Sequence, residues 1–432
     1  MSGRRSVVIH GHFYQPPREN PWTGLVEREP NAAPDHDWNA RITRECYAPL
    51  ASIPLGDGDD PPRINAYNFL SFDVGPTLLP WLERESPETY DAMLNGDRAG
   101  LERVGHGNAI AMPFHHVILP LCSRRDKQAE VRWGIADFRR RFGRDPEGFW
   151  LPETAVDQES LDVLAEEGIA FTVLAPHQVA HPPVSGQAGR LHTSGGRSIA
   201  AFIYDGPLSH DVAFGALLND AAAWEKALLA DTSRGLVSIA TDGETYGHHH
   251  RFANLALGAL LQHLATRRGI RIENYASALA AFPPLGDLTL VEPTSWSCNH
   301  GVERWRSDCG CRTSLDGSTQ QRWRAPLRNA IDWLVDEVHA IAEGNGASAP
   351  GELVPTALAA LTSCGWFFDD FAGLEGRQVL RYAARAIALT GGEAPRLEAG
   401  LLERLEGAES NDVSVGTAVA FFRERIKPEQ AG

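Results

Sequence analysis

The sequence predicts an α/β chain, a parallel barrel followed by an α-helical C-terminal region. Short apolar runs rich in β-formers recur through the first 241 residues, most of them separated by stretches of helical spacing. Neither a Gly-x-Gly-x-x-Gly after the first run nor a Gly-x4-Gly-Lys-Ser/Thr loop is present, which favours a barrel over an open doubly wound sheet. After about residue 285 the alternation gives way to helical stretches, so the expected domains are a barrel over 1–285 and a Cys- and Trp-bearing loop with a helical subdomain over 286–432.

Seven strands are expected, at residues 6–10, 63–69, 108–113, 148–151, 170–174, 198–204 and 236–241. Between and after them, Leu, Ile, Val and Ala recur at helical spacing over 76–93, 126–142, 157–168, 213–229 and 252–267. Such alternation argues for a parallel sheet with its helices outside. Beyond it, a polar loop at 293–317 leads into helices expected at 321–343, 355–361, 376–389 and 414–426. Residues 343–350, Glu-Gly-Asn-Gly-Ala-Ser-Ala-Pro, read as a connector.

Composition narrows the function classes. With 432 residues, 43% hydrophobic and 22% charged, the chain can bury a core without metal or disulfide staples. Its 56 acidic residues outweigh 40 basic ones for a net charge of -16, and no basic run forms, so nucleic acid and anionic membranes are not expected partners. Residues 1–9 lack the apolar stretch of a signal peptide and no apolar run reaches the roughly 20 residues of a membrane span, which together give a cytoplasmic expectation. Oligomeric state is left open.

In a parallel barrel the chemistry sits where strands end. The first run ends in His10-Gly11-His12-Phe13-Tyr14-Gln15, the third in Met112-Pro113-Phe114-His115-His116, the fourth in Trp150-Leu151-Pro152-Glu153, and the seventh in Asp242-Gly243-Glu244-Thr245-Tyr246-Gly247-His248-His249-His250. Carboxylates on separate strand ends suit glycoside hydrolysis, and aromatic rings beside them suit the C–H faces of sugars. The same rim would also suit a metal hydrolase of the polysaccharide deacetylase kind, with His10, His12, Asp242 and the run His248–His250 around a divalent cation. A carbohydrate-binding protein whose catalysis has lapsed is a third reading.

These residues carry a family resemblance. Gly148-Phe149-Trp150-Leu151-Pro152-Glu153 resembles the nucleophile region of glycoside hydrolase family 57, and Asp242-Gly243-Glu244-Thr245-Tyr246-Gly247-His248 resembles its acid/base region. His10-Gly11-His12 with Gln15-Pro16 is similar to the family's opening His-x-His-Gln-Pro, and His115 to Leu121 to its Tyr-His-Pro-Ile-Leu-Pro-Leu. The resemblance spans roughly 5–285. Trp296 to Trp305 and Ser363 to Asp370 look like a less characterised branch with a C-terminal region of unknown function.

The resemblance implies a (β/α)7 barrel and a retaining, two-carboxylate mechanism on α-linked glucans or oligosaccharides, of the amylase, 4-α-glucanotransferase or branching type. It makes Glu153 the nucleophile and Asp242 the general acid/base. Retention asks for carboxyl groups about 5–5.5 Å apart, and inversion for about 6.5–9.5 Å. His10, His12, His116 and His248 would bind hydroxyls, Glu244 would support the site, Trp150 and Tyr246 would be sugar platforms, and Asp205 a wall residue.

No cofactor is expected and no metal is assigned. Cys298-x-His300 with Cys309-x-Cys311 offers four soft ligands, but the one-residue spacings differ from those usual in structural zinc sites. Otherwise these are reduced loop cysteines, with Trp296 and Trp305 closing one side of a substrate cleft.

Overall fold

The computed structural model describes residues 5–183, 186–231, 235–345 and 350–431. The chain forms two compact units. One comprises Met1–Gln15, Arg28–Phe114 and Lys127–Glu292, the other Pro16–Glu27, His115–Asp126 and Pro293–Gly432, each over its described residues.

The first unit is a ring of parallel strands. Its centre is Arg5–Phe13, buried along almost its whole length because every second residue faces the barrel interior and the others face packed helices. On one side it pairs with Ser71–Val74, in a register that sets His10 beside Ser71 and His12 beside Asp73. On the other it pairs with Leu236–Asp242, from Ser6 beside Leu236 to His12 beside Asp242. Parallel bridges continue the ring from Phe72 to Ala109, from Ala111 to Phe149 and from Gly148 to Phe171. Phe171–Leu174 then pairs with Ser198–Ile203.

Closure between Ser198–Ile203 and Leu236–Asp242 is different. The Asp205 amide donates to the Ser238 carbonyl at 2.7 Å, while the antiparallel strand Ala188–His192 occupies the edge of Ser198–Ile203. Gly186 is wedged into the gap: its amide donates to the Ile203 carbonyl at 2.7 Å, and a Cβ there would lie 2.7–2.9 Å from backbone atoms of Leu236, Val237 and Ser238. Seven parallel segments thus close a (β/α)7 barrel, with Ile270–Ile272 added beside the start of the first strand.

Several expected elements move. Residues 63–69 do not supply the second barrel strand. Asn65 accepts the Tyr67 amide at 3.0 Å and caps a 3-10 turn, Ala66–Asn68, and the barrel strand follows at Ser71–Val74. The expected helix at 76–93 is two helices, Leu79–Glu85 and Pro87–Val104, because Pro87 keeps Ser86, at φ -145° and ψ 61°, out of the helical region. Likewise 213–229 becomes Gly206–Phe214 and Ala221–Leu228, each capped by the preceding aspartate, Asp205 or Asp220.

The second unit is helical. Arg324–Asn345, Leu353–Ala359, Leu374–Leu389 and Ala394–Arg404 are its main helices, the last without an expected counterpart. Of the expected connector at 343–350, residues 346–349 lie outside the described residues. Among the described residues no helix is long and apolar enough to cross a membrane.

Gly186→Ala should lower unfolding stability by about 1–3 kcal/mol, since it adds a clash with fixed backbone to a left-handed φ of 87°. Urea unfolding checks this, and an unchanged midpoint would remove the wedge from the closure of the ring.

Candidate active site

Because the barrel strands are parallel, the residues that follow them share one rim. Beneath it, His10 and His12 project from the same face of the first strand onto one carboxylate. His10 Nδ1 lies 3.1 Å from Ser71 Oγ and its Nε2 3.1 Å from Asp73 Oδ1, while His12 Nδ1 lies 2.7 Å from Asp73 Oδ2. Trp150 comes from across the ring and stacks on both imidazoles, with centroids 4.8 Å from His10 and 5.2 Å from His12. All four side chains are buried.

Burial and charge divide the protons in this cluster. Burial, the largest influence on each imidazole, disfavours the cation. At His10 it prevails over the bonds to Asp73 and lowers the pKa. At His12 the charge and hydrogen bond of Asp73, with Asp242 and Glu244 adding to them, overcome burial and push the pKa up to about 9. Asp73 itself is raised by burial but brought down further by the two histidines, His12 foremost, so it stays ionised. The result is a buried Asp73–His12 ion pair with a neutral His10 beside it.

Next along the rim stand two acids that resist ionisation. Burial raises Asp242, with the charge of Asp73 adding and His12 opposing. Burial also lifts Glu244 to about 7, helped by the like charge of Asp242 and opposed by a hydrogen bond from the Tyr47 hydroxyl. The Tyr14 amide donates to Glu244 Oε1 at 3.3 Å. Two neighbouring carboxyls pushed upward titrate as a pair, and such a pair holds a proton near neutral pH.

Glu153 occupies a strained turn at another strand end. It is half-buried, with φ 57° and ψ 20°, and Thr154 follows with φ 47°. Consecutive left-handed residues other than glycine cost roughly 1–3 kcal/mol each and persist only where neighbours hold them. Here the Thr154 amide donates to the Leu151 carbonyl at 2.7 Å, and the Thr154 carbonyl accepts Gln178 Nε2 at 2.7 Å. Gln178 is buried and is fixed in turn by the Ala175 amide at 2.8 Å.

Other expected site residues serve differently. Tyr246 is no sugar platform: it is fully buried, stacked 6.1 Å from Trp224, and its hydroxyl accepts from Thr241. Trp150 is likewise buried, against the histidines. His10 has both ring nitrogens engaged inside the barrel, so it orients Asp73 and does not bind hydroxyls. Asp205 caps the helix Gly206–Phe214 through the Leu208 amide at 3.0 Å. His248 is half-buried, with Nδ1 2.6 Å from Glu45.

His116, Trp296 and Trp305 belong to the second unit. There His116 is buried with Nδ1 2.6 Å from Ser363 Oγ, Trp305 is fully buried, and Trp296 is half-buried. The alternative metal centre on the rim does not assemble, since His10 and His12 turn to Asp73, His248 to Glu45, and His250 to the Ala213 carbonyl at 2.7 Å. Asp73 and Tyr47 were not expected from sequence. An acid inside the short apolar run Phe72-Asp73-Val74 is a readable signal for the first, whereas Tyr47 carries none.

A model of glycosyl hydrolase family 57 matches residues 27–284, more than half of the chain. The chain belongs to that family. A further match, to a domain of unknown function (DUF3536), covers 351–432. This family-57 chain is 22% identical over 237 residues to an alpha-amylase of Pyrococcus horikoshii, covering 52% of this chain and 36% of that protein. It is 22% identical over 233 residues to a 4-alpha-glucanotransferase of Thermococcus litoralis, covering 51% and 34%. The chain thus spans about a third of the length of these curated relatives. The crystal structure of an exo-type maltose-forming amylase from Pyrococcus sp. ST04 superposes with a TM-score of 0.70 at 15% identity, over 93% of this chain and 83% of that one, a likeness of fold.

The raised Glu244 gives a signed expectation. Its folded pKa of about 7 exceeds the 4.5 of an ordinary glutamate, so the native state loses stability relative to the unfolded chain as pH rises between those values. Glu244→Gln removes that penalty, and the variant should be more stable than the parent by roughly 1–3 kcal/mol above pH 7, with the gain vanishing towards pH 4. Urea titrations across this range check it, and a gain independent of pH would exclude the ionisation as its cause.

Proposed function

We propose that this family-57 chain is a retaining enzyme acting on α-linked glucans or oligosaccharides, with Glu153 as nucleophile and Asp242 as general acid/base. The observation that carries the reading is the opposed character of the two rim carboxyls. Glu153 is presented on a strained turn at one strand end, while Asp242 is kept towards its protonated form by burial at another. The alpha-amylase and 4-alpha-glucanotransferase relatives supply the substrate class.

In this mechanism Glu153 attacks the anomeric carbon as the glycosidic bond breaks, and Asp242 gives its proton to the departing oxygen. A glycosyl ester on Glu153 results. Asp242, now ionised, takes a proton from water or from a sugar hydroxyl, which attacks the same carbon and frees Glu153 with net retention. The charged His12 lies between Asp73 and Asp242 in register, and it stabilises the Asp242 carboxylate each time the proton leaves. Glu244, held by Tyr47 and the Tyr14 amide, is itself kept towards its protonated form by burial and by the like charge of Asp242.

Glu153→Gln and Asp242→Asn should each lower turnover of maltooligosaccharides by roughly three orders of magnitude or more while leaving the melting temperature near the parent's. Proton NMR of the first-formed anomer should show retained configuration. Near-parental rates in either variant would overturn the residue assignment, and inverted product would overturn the double displacement. Chain-length profiles of the products against reducing-sugar release separate hydrolysis from transfer.

A further inference from the structure

The helical unit contains a second concentration of reactive side chains, unrelated to the rim acids. Cys298, His300, Cys309 and Cys311 place one sulfur or nitrogen each within 4.8 Å of all the others. Cys311 Sγ lies 3.7 Å from Cys298 Sγ and 3.7 Å from His300 Nδ1, and Cys298 Sγ lies 3.9 Å from Cys309 Sγ. We propose that these four residues bind one zinc ion in a closed, structural Cys3His site.

The distances argue for a metal over a disulfide. A disulfide needs sulfurs about 2 Å apart, whereas ligands about 2.3 Å from a tetrahedral zinc stand about 3.8 Å from one another. Cys298 Sγ therefore stands from both other sulfurs at close to that spacing. Gly310, at φ 87°, takes a left-handed turn between Cys309 and Cys311 that a larger side chain would resist, and both thiols reach the cluster.

The surroundings supply a second, independent argument. Arg304 and Arg324 are buried, and among the described residues neither meets a carboxylate within ion-pair distance. Arg304 donates to the carbonyls of Ser297 and Phe367, and Arg324 to those of Cys311 and Phe368, while Arg324 Nε is buried with no acceptor. Two buried guanidinium charges need a nearby anion. Zinc with three thiolates and a neutral imidazole carries one net negative charge, and forming it releases the three thiol protons to solvent. That centre would add to the charge of Asp369, which acts on Arg324 from beyond ion-pair distance. It would also fasten a segment, 293–323, whose helical content is the short turn Glu303–Trp305.

The test uses the full chain, expressed with zinc present and purified without chelator or metal-affinity resin. Elemental analysis should find about one zinc per chain, released when the thiols are titrated with a mercurial, and cobalt exchanged into the site should show the intense absorption of thiolate-bound tetrahedral metal. Joint Cys309→Ser and Cys311→Ser substitution should abolish the bound zinc, while Cys364→Ser, outside the cluster, should keep it. A parent protein that stays metal-free after equilibration with zinc salt, or a disulfide within the cluster by peptide mass mapping, overturns the proposal. These parent-protein readouts decide even if the double variant does not fold.

Discussion

One buried carboxylate organises the barrel. Asp73 accepts from both His10 and His12, and its charge makes one of those imidazoles a cation while burial keeps the other neutral. Removing water from such an ion pair is costly, so its benefit lies less in net stability than in fixing one arrangement of strands and protons. The register of the first strand against both neighbours, the stacking of Trp150 and the protonation of the rim acids all refer back to it. The same charge that holds His12 helps to keep Asp242 from ionising.

The second constraint is mechanical. Two successive left-handed residues at Glu153 and Thr154 store strain that the Leu151 carbonyl and the Gln178 side chain must hold in place. Gln178 is itself inside the protein and tied to the Ala175 amide. The turn is thus held both by its own Leu151 carbonyl and by a side chain from the 3-10 turn, Pro176–Gln178, that follows the next strand.

Much of this was readable from residues alone, and the failures have physical causes. The first, fifth, sixth and seventh strands are continuous apolar runs, and sequence placed them within a few residues. The second was misplaced because its strand is four residues with an acid inside, while the more apolar segment before it is bent by the Asn65 cap. Trp150 and Tyr246 were read as sugar platforms from their place beside the rim acids, and position after a strand does not tell a ring that faces the cleft from one packed inside. The convergence of Cys298 and His300 with Cys309 and Cys311 depends on the path of a long loop, which no local propensity encodes. Asp73 was legible in principle, as a charge in an apolar run whose partners could be named only once the register was known.

The manner of ring closure bears on where the proposed acid is anchored. Leu236–Asp242 is zipped to the first strand over seven successive residue pairs, but on its other flank, among the described residues, it meets the Asp205 amide at Ser238, the Ser209 hydroxyl at the Ala240 amide and a glycine wedge. The barrel is in effect a rolled sheet with a seam, and Asp242 stands beside the seam. Its position is therefore surveyed from His12 and not from Asp205 across the join. Breathing at the seam would widen the rim on one flank while leaving the acid and the histidine cation in fixed relation.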